Sequence, residues 1–231
     1  MSKHIQFIAN PRAGMTYIVE SASIKHQLVA MYSPFNEKSP SKDIHPLLVG
    51  DKKMVIKTHI HNLPNYNIFL KKNKLDKDIF FNILLLRQNI TESILSYAIA
   101  RRTQQWGWND YLKKSRFSLA YSDIKQACNL YIQHLSMVQQ EEYNQIVDKV
   151  FVYNNIPDGL ADICSYLQNH NLVHTNFPVS NRTLNTKQAF KKSEVIDNYA
   201  ESKQVCLDII KDINISGIII TNGEIRSYDK K

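Results

Sequence analysis

The chain has 231 residues, of which 43% are hydrophobic and 22% are charged, and its formal net charge is +8. This composition excludes a disordered chain, and no apolar stretch approaches the roughly 20 residues that span a bilayer, so we expect a cytoplasmic protein without a membrane span. The positive charge favours an anionic partner, but the basic residues are scattered, and a nucleic-acid partner is not expected. Three widely spaced cysteines predict reduced thiols rather than disulfides or a zinc site.

Short apolar runs alternate with longer amphipathic segments along the chain. Strands are predicted over residues 5–9, 54–57, 79–86 and 150–153, and the nearly continuous apolar run 79–86 indicates a central strand. Helices are predicted over residues 16–31, 91–105, 122–145, 157–170 and 194–213. Asn222-Gly223 predicts the turn of a terminal hairpin within residues 214–231. The alternation predicts one domain over residues 1–231, with a three-layer α/β/α fold around a mainly parallel sheet.

The segment after the first predicted strand has the features of an anion site. It is a Gly-containing turn that leads into a helix, so backbone N–H groups and the positive end of the helix dipole converge there. Arg12 can bind an oxyanion through two N–H groups, Gly14 allows close approach of the backbone, and Thr16 adds a hydroxyl. The segment lacks the G-x-x-x-x-G-K-[ST] pattern of the nucleotide-hydrolysing P-loops.

This loop resembles the 5′-phosphosulfate loop of the sulfotransferases that use 3′-phosphoadenosine 5′-phosphosulfate (PAPS), which is written P-[KR]-S-G-T-[TS]-W. The matching residues are Pro11, Arg12, Gly14 and Thr16, and Tyr17 replaces the usual Trp by another aromatic residue. Ala13 and Met15 replace two hydroxyl-bearing residues but keep their backbone N–H groups. The resemblance implies that residues 12–17 bind the donor.

A lysine and a histidine follow each other at the end of the second predicted strand. Lys57 and His59 are two residues apart, so their side chains point to the same face if the strand continues through them. A cation can hold charge on a donor while a neutral imidazole removes a proton from an acceptor. The stretch resembles the K-T-H-L-P motif of the cytosolic sulfotransferases, which implies Lys57 at the sulfuryl group and His59 as general base. His61 remains an alternative base, and so do the carboxylates of Glu37 and Asp43.

The third predicted strand runs into Arg87, and a helix with serines in its first turns follows. An arginine and a helix serine can clamp a phosphate between them. The segment resembles the 3′-phosphate site of the same family, R-[ND]-P-x-[DE]-x-x-x-S, through Arg87 and Ser96. The spacing is one residue longer than usual, so Ser93 remains the alternative. At the end of the fourth strand the same resemblance suggests Tyr153 near the adenine.

Taken together, the motifs resemble those of PAPS-dependent sulfotransferases of the cytosolic and bacterial trehalose types, over about residues 5–170. The resemblance implies a P-loop sulfotransferase-like fold and in-line transfer of a sulfuryl group from PAPS to a hydroxyl or amine of a small-molecule or glycan acceptor. Arg12, Lys57 and His59 would be catalytic, and no metal is expected. A kinase with an irregular P-loop and a non-catalytic nucleotide- or nucleic-acid-binding protein remain the alternatives.

Overall fold

The computed structural model describes residues 3–36, 44–104, 116–173, 192–211, 213–215 and 217–228. The chain divides into two compact units. The first unit spans Met1–Leu86 and Gln140–Leu184, and the second spans Arg87–Gln139 and Asn185–Lys231. The single domain predicted over residues 1–231 stays a prediction. Within the described ranges, no helix is long and apolar enough to cross a membrane.

Strands and helices alternate along most of the described chain. The strands are β1 (His4–Ala9), β2 (Val29–Tyr32), β3 (Met54–His59), β4 (Phe80–Arg87), β5 (Lys149–Tyr153), β6 (Ile213–Ile215), β7 (Ile218–Thr221) and β8 (Glu224–Tyr228). The helices are α1 (Met15–His26), α2 (Ile44–Leu48), α3 (Leu63–Lys72), α4 (Ile90–Thr103), α5 (Tyr121–Val138), α6 (Glu141–Asn144), α7 (Ile156–Asn169), α8 (Lys192–Val195) and α9 (Tyr199–Ile210). Single-turn 3₁₀ helices cover Ile60–Asn62 and Lys77–Ile79.

The first unit is built on a five-stranded sheet with the strand order β2-β3-β1-β4-β5. Strand β1 pairs in parallel with both β3 and β4, and β2 pairs in parallel with β3. These pairings confirm the predicted mainly parallel sheet. The strand predicted to be central, β4, lies inside the sheet between β1 and β5, while β1 takes the middle position. All six residues of β1 are buried, as expected for a strand covered on both faces.

Helices cover both faces of this sheet. On one face, alternate residues of the strands share a core with α1 and α7, made of Ile5, Phe7, Ile83, Leu85, Ile18, Val19, Ile163 and Leu167. On the other face, the ring of Tyr66 in α3 meets Phe80 of β4 edge-on, with 5.6 Å between ring centroids. Because the strand side chains alternate between these two cores, the predicted three-layer arrangement is confirmed.

The second unit combines helices with a small antiparallel sheet. Helices α4, α5 and α9 pack against one another, and β6, β7 and β8 pair in that order. The predicted terminal hairpin is confirmed, since Asn222 and Gly223 join β7 to β8 with φ values of 52° and 75°, as a two-residue turn requires. The three cysteines are free and buried, as predicted, and the sulfur atoms of Cys128 and Cys206 lie 3.7 Å apart.

The helix predicted over residues 16–31 is too long. Helix α1 ends at His26, because Gln27 adopts the left-handed conformation and its N–H bonds to the carbonyl of Ser23. The chain then turns back, and residues 29–32 form β2 beside β3. The apolar residues of this segment therefore serve an edge strand and not a last helical turn.

Two other predicted helices are interrupted. The helix predicted over residues 122–145 breaks after Val138, because Gln140 is extended, with ψ 139°, and α6 begins only at Glu141. The helix predicted over residues 194–213 breaks between α8 and α9. There the side-chain amide of Asn198 bonds to both the N–H and the carbonyl of Leu119, each at 3.0 Å. Ile213, the predicted last residue of this helix, instead begins β6, which pairs with β7.

Candidate functional site

The loop after β1 has the backbone geometry of an anion site. Arg12 and Gly14 both adopt left-handed conformations, with φ values of 69° and 77°. The first helical hydrogen bonds of α1 run from the amides of Tyr17 and Ile18 to the carbonyl of Gly14. The amides of Met15 and Thr16 precede the first amide that donates within the helix, as at any helix N-terminus. A turn of this kind presents successive N–H groups to an anion.

Gly14 is the residue that this loop requires. Its positive φ is strained for any side chain, and a Cβ atom placed there would lie 2.5 Å from Cδ1 of Ile156 in α7. The predicted importance of Gly14 thus has two physical causes, its conformation and the close approach of α7.

The loop is also held from β5. The hydroxyl of Tyr153 donates a hydrogen bond to the carbonyl of Ala13, and the side chain is buried. The placement of Tyr153 near an adenine stays a prediction, and its hydroxyl bonds to the backbone of the loop. No local sequence pattern shows this contact, because the two residues are 140 positions apart.

Lys57 connects the second predicted segment to the first. Its ammonium donates a hydrogen bond to the hydroxyl of Thr16 at 2.8 Å. Burial lowers the pKa of Lys57, the nearby Arg12 guanidinium lowers it further, and Glu20 acts in the opposite direction. Burial also lowers the pKa of Arg12. Two partly desolvated cations beside a helix N-terminus make this edge of the sheet favourable for an anion.

Two histidines lie at the same edge. The register of β1 and β3 places His59 beside Ala9, the last residue before the loop. Thr58 is fully buried while Lys57 and His59 are partly exposed, which confirms that these two side chains share a face. The ring of His61 is nearly parallel to that of His59, at an interplanar angle of 9° with 5.5 Å between centroids. The structure therefore keeps both imidazoles as candidate bases.

The residues predicted for the 3′-phosphate lie in the second unit. Arg87 is the last residue of β4, and its buried Nε has no hydrogen-bond partner among the described residues. Asn89 caps α4 by accepting a hydrogen bond from the Glu92 amide at 3.2 Å. Ser93 is fully buried, with no partner for its hydroxyl in the described ranges, and Ser96 is partly exposed. The choice between the two serines stays open.

The sequence interpretation missed Glu92, which is the centre of a charged cluster in the second unit. Its carboxylate accepts from the Lys192 ammonium at 2.5 Å and from the Tyr199 hydroxyl at 2.6 Å. Burial alone would raise the pKa of Glu92, but these two hydrogen bonds and the charges of Lys192 and Arg87 hold it below its usual value. The Asn89-x-x-Glu92 spacing of a helix N-terminus was the available signal.

No group of three or more His, Cys, Asp or Glu side chains that could hold a metal ion occurs in the parts of the chain that the structure describes. The alternative bases Glu37 and Asp43 lie outside those parts.

Comparison with known proteins gives only distant structural likenesses. No protein-family model and no curated protein sequence matches the chain. The mouse sulfotransferase SULT7A1 complexed with PAP is 13% identical, with TM-score 0.47, over 95% of this chain and 70% of that one. Shikimate kinase from Acinetobacter baumannii in complex with shikimate is 10% identical, with TM-score 0.42, over 74% and 94%. A sulfotransferase from Alicyclobacillus acidocaldarius is 14% identical, with TM-score 0.43, over 92% and 98%. At these TM-scores the likenesses establish no family for the chain.

Proposed function

We propose that this protein is a sulfotransferase that uses PAPS. The observation that carries the proposal is the hydrogen bond between Lys57 and Thr16, 2.8 Å long. It joins the phosphate-type loop to the Lys-Thr-His strand end, and the two bonded residues are 41 positions apart in the chain. A cation and a row of backbone N–H groups at one point suit a group that carries negative charge on several oxygens.

The proposed reaction is an in-line displacement at sulfur. The donor supplies a sulfuryl group on a phosphosulfate anhydride. Arg12, the amides of residues 13–16 and Lys57 stabilise the negative charge that develops on the donor oxygens. His59 accepts the proton of the acceptor hydroxyl or amine as the new bond to sulfur forms and the bond from sulfur to the 5′-phosphate oxygen breaks. Arg87 and Ser96 hold the 3′-phosphate, and 3′-phosphoadenosine 5′-phosphate (PAP) leaves.

Thermal unfolding with competing nucleotides tests the proposal. PAP at one hundred times its Kd stabilises a one-site protein by about 2.7 kcal/mol, which for a chain of this size raises the midpoint by about 5–10 °C. We expect such a shift with PAP and a smaller one with ATP and Mg²⁺. Arg12→Gln should abolish the PAP shift, while Lys71→Gln, which removes an exposed charge from α3, should leave it intact.

The alternatives give different results in the same assay. A kinase would be stabilised by ATP with Mg²⁺ more than by PAP. A nucleic-acid-binding protein would respond to an oligonucleotide, with a strong salt dependence, and to neither nucleotide. A non-catalytic nucleotide-binding protein would bind PAP but form no sulfated product from PAPS with any acceptor offered.

A further inference from the structure

Tyr153 bonds to the peptide that joins Ala13 to Gly14 in the loop after β1. Its hydroxyl donates to the carbonyl of Ala13, so that carbonyl points toward the Tyr153 side chain at the end of β5. A trans peptide is planar, with its C=O and N–H antiparallel. No cis peptide occurs in the described chain, so the N–H of Gly14 points opposite to the Ala13 carbonyl.

Glycine makes this orientation reversible unless something holds it. Rotating the peptide between Ala13 and Gly14 by half a turn changes φ of Gly14 from its present 77° to a negative value, and glycine tolerates both about equally. After such a rotation a carbonyl oxygen, and no longer an N–H, would face a bound anion. The loop backbone alone therefore does not select the anion-binding form.

The tyrosine ring is itself fixed by a close approach of α7. A Cβ atom on Gly159 would lie 2.7 Å from Cβ and 2.8 Å from Cγ of Tyr153, so the ring packs directly on the helix backbone. Asn155 caps the same helix by accepting from the Asp158 amide at 3.0 Å. Because the side chain is buried between its strand and this helix, the hydroxyl has a defined position against the loop.

We propose that Tyr153 is a positioning residue that holds the Ala13–Gly14 peptide with its N–H toward the bound sulfuryl or phosphate group. The inference rests on the proposed function for the identity of the anion. It adds a residue that touches neither donor nor acceptor, and it gives Gly159 a role as the surface on which the tyrosine ring rests.

The test compares two tyrosine-to-phenylalanine variants. Tyr153→Phe removes the hydroxyl that bonds to the loop, and Tyr66→Phe removes the hydroxyl of a fully buried tyrosine on the opposite face of the sheet. Calorimetric titration should show that Tyr153→Phe binds PAP about 10-fold more weakly than the wild type. This factor corresponds to the loss of one hydrogen bond, from the Gly14 N–H to an ionised phosphate. Tyr66→Phe should bind within about 2-fold of the wild type, the spread expected when no ligand contact is lost.

A spectroscopic signature separates positioning from a general loss of stability. The chain has only six glycines, so the Gly14 amide can be assigned in a ¹H–¹⁵N spectrum. In the wild type, PAP should shift this resonance strongly, and in Tyr153→Phe the shift should be reduced at saturating PAP. Gly159→Ala, which displaces the ring but keeps the hydroxyl, should weaken PAP binding as Tyr153→Phe does. The double variant, Tyr153→Phe with Gly159→Ala, should lose no more affinity for PAP than either single variant.

The outcomes distinguish this inference from the proposed function. If the wild type binds PAP and Tyr153→Phe binds it equally well with an unchanged Gly14 shift, the positioning role is wrong and the function stands. If the wild type binds inorganic sulfate but not PAP, and Tyr153→Phe weakens sulfate binding, the positioning role stands and the function is wrong. Binding of neither ligand refutes both.

Discussion

Replacing Gly14 by alanine tests the loop geometry without reference to any ligand. The residue has φ 77°, and a left-handed conformation costs a residue with a side chain about 1–2 kcal/mol. The new Cβ would also lie 2.5 Å from Cδ1 of Ile156, and relief of such overpacking costs about 1–3 kcal/mol. Alanine restricts the unfolded chain and returns roughly 0.4–1 kcal/mol. We expect Gly14→Ala to lower the free energy of unfolding by about 3 kcal/mol.

The steric part of this loss can be separated from the conformational part. Ile156→Val removes the Cδ1 atom that the new methyl group would strike, so in that background Gly14→Ala should cost only the conformational part less the gain in the unfolded chain, about 1 kcal/mol. Urea unfolding of the four proteins in this cycle gives the coupling energy. Gly50→Ala is the matched control, because a Cβ there meets nothing closer than 3.4 Å. A loss for Gly14→Ala as small as that for Gly50→Ala, or the same loss with and without Ile156→Val, would refute the reasoning.

Three further predictions concern titratable side chains. His59→Ala should lower turnover by about 100-fold or more while the affinity for PAP stays nearly unchanged. His61→Ala should leave turnover nearly unchanged, and the reverse pattern would make His61 the base. Lys57→Met should leave the free energy of unfolding unchanged or higher, because burial disfavours its charge, yet weaken PAP binding by about 10- to 100-fold; a variant that binds normally would contradict the site. Burial and the neighbouring Lys25 lower the pKa of His26 to about 4, below the 6.5 of the unfolded chain. The unfolded state then binds more protons between these values, so stability should fall by up to about 3 kcal/mol as the pH drops from 6.5 to 4. His26→Leu should flatten that dependence in urea titrations, and an equally steep profile would contradict the burial of this imidazole as its cause.

The sequence predicted those parts of the fold that a local pattern determines. The apolar runs of β1 and β4 can be recognised without the rest of the chain, and so can the turn at Asn222-Gly223. Strand β2 could not be predicted, because residues 29–32 continue the apolar pattern of α1 and become a strand only by pairing with β3. The short β6 was missed for the same reason, since its partner β7 defines it.

In the candidate site, too, the local sequence predicts some features and not others. Gly14 and the strand ends at Lys57 and His59 follow from residue types and spacing. The hydrogen bond from Tyr153 to Ala13 and the ion pair between Glu92 and Lys192 join residues at least 100 positions apart. Such contacts depend on how the elements pack, and a single sequence contains no local signal for them.

A crystal structure of the protein with PAP tests the central claim most directly, because it shows which atoms hold each phosphate. We predict the 5′-phosphate against the amides of residues 13–16, with Lys57 and Arg12 as its cationic partners. We also predict the 3′-phosphate against Arg87. A complex in which PAP binds away from the Arg12–Thr16 loop would contradict the account. A crystal that is grown with saturating PAP and contains no bound PAP would contradict it as well.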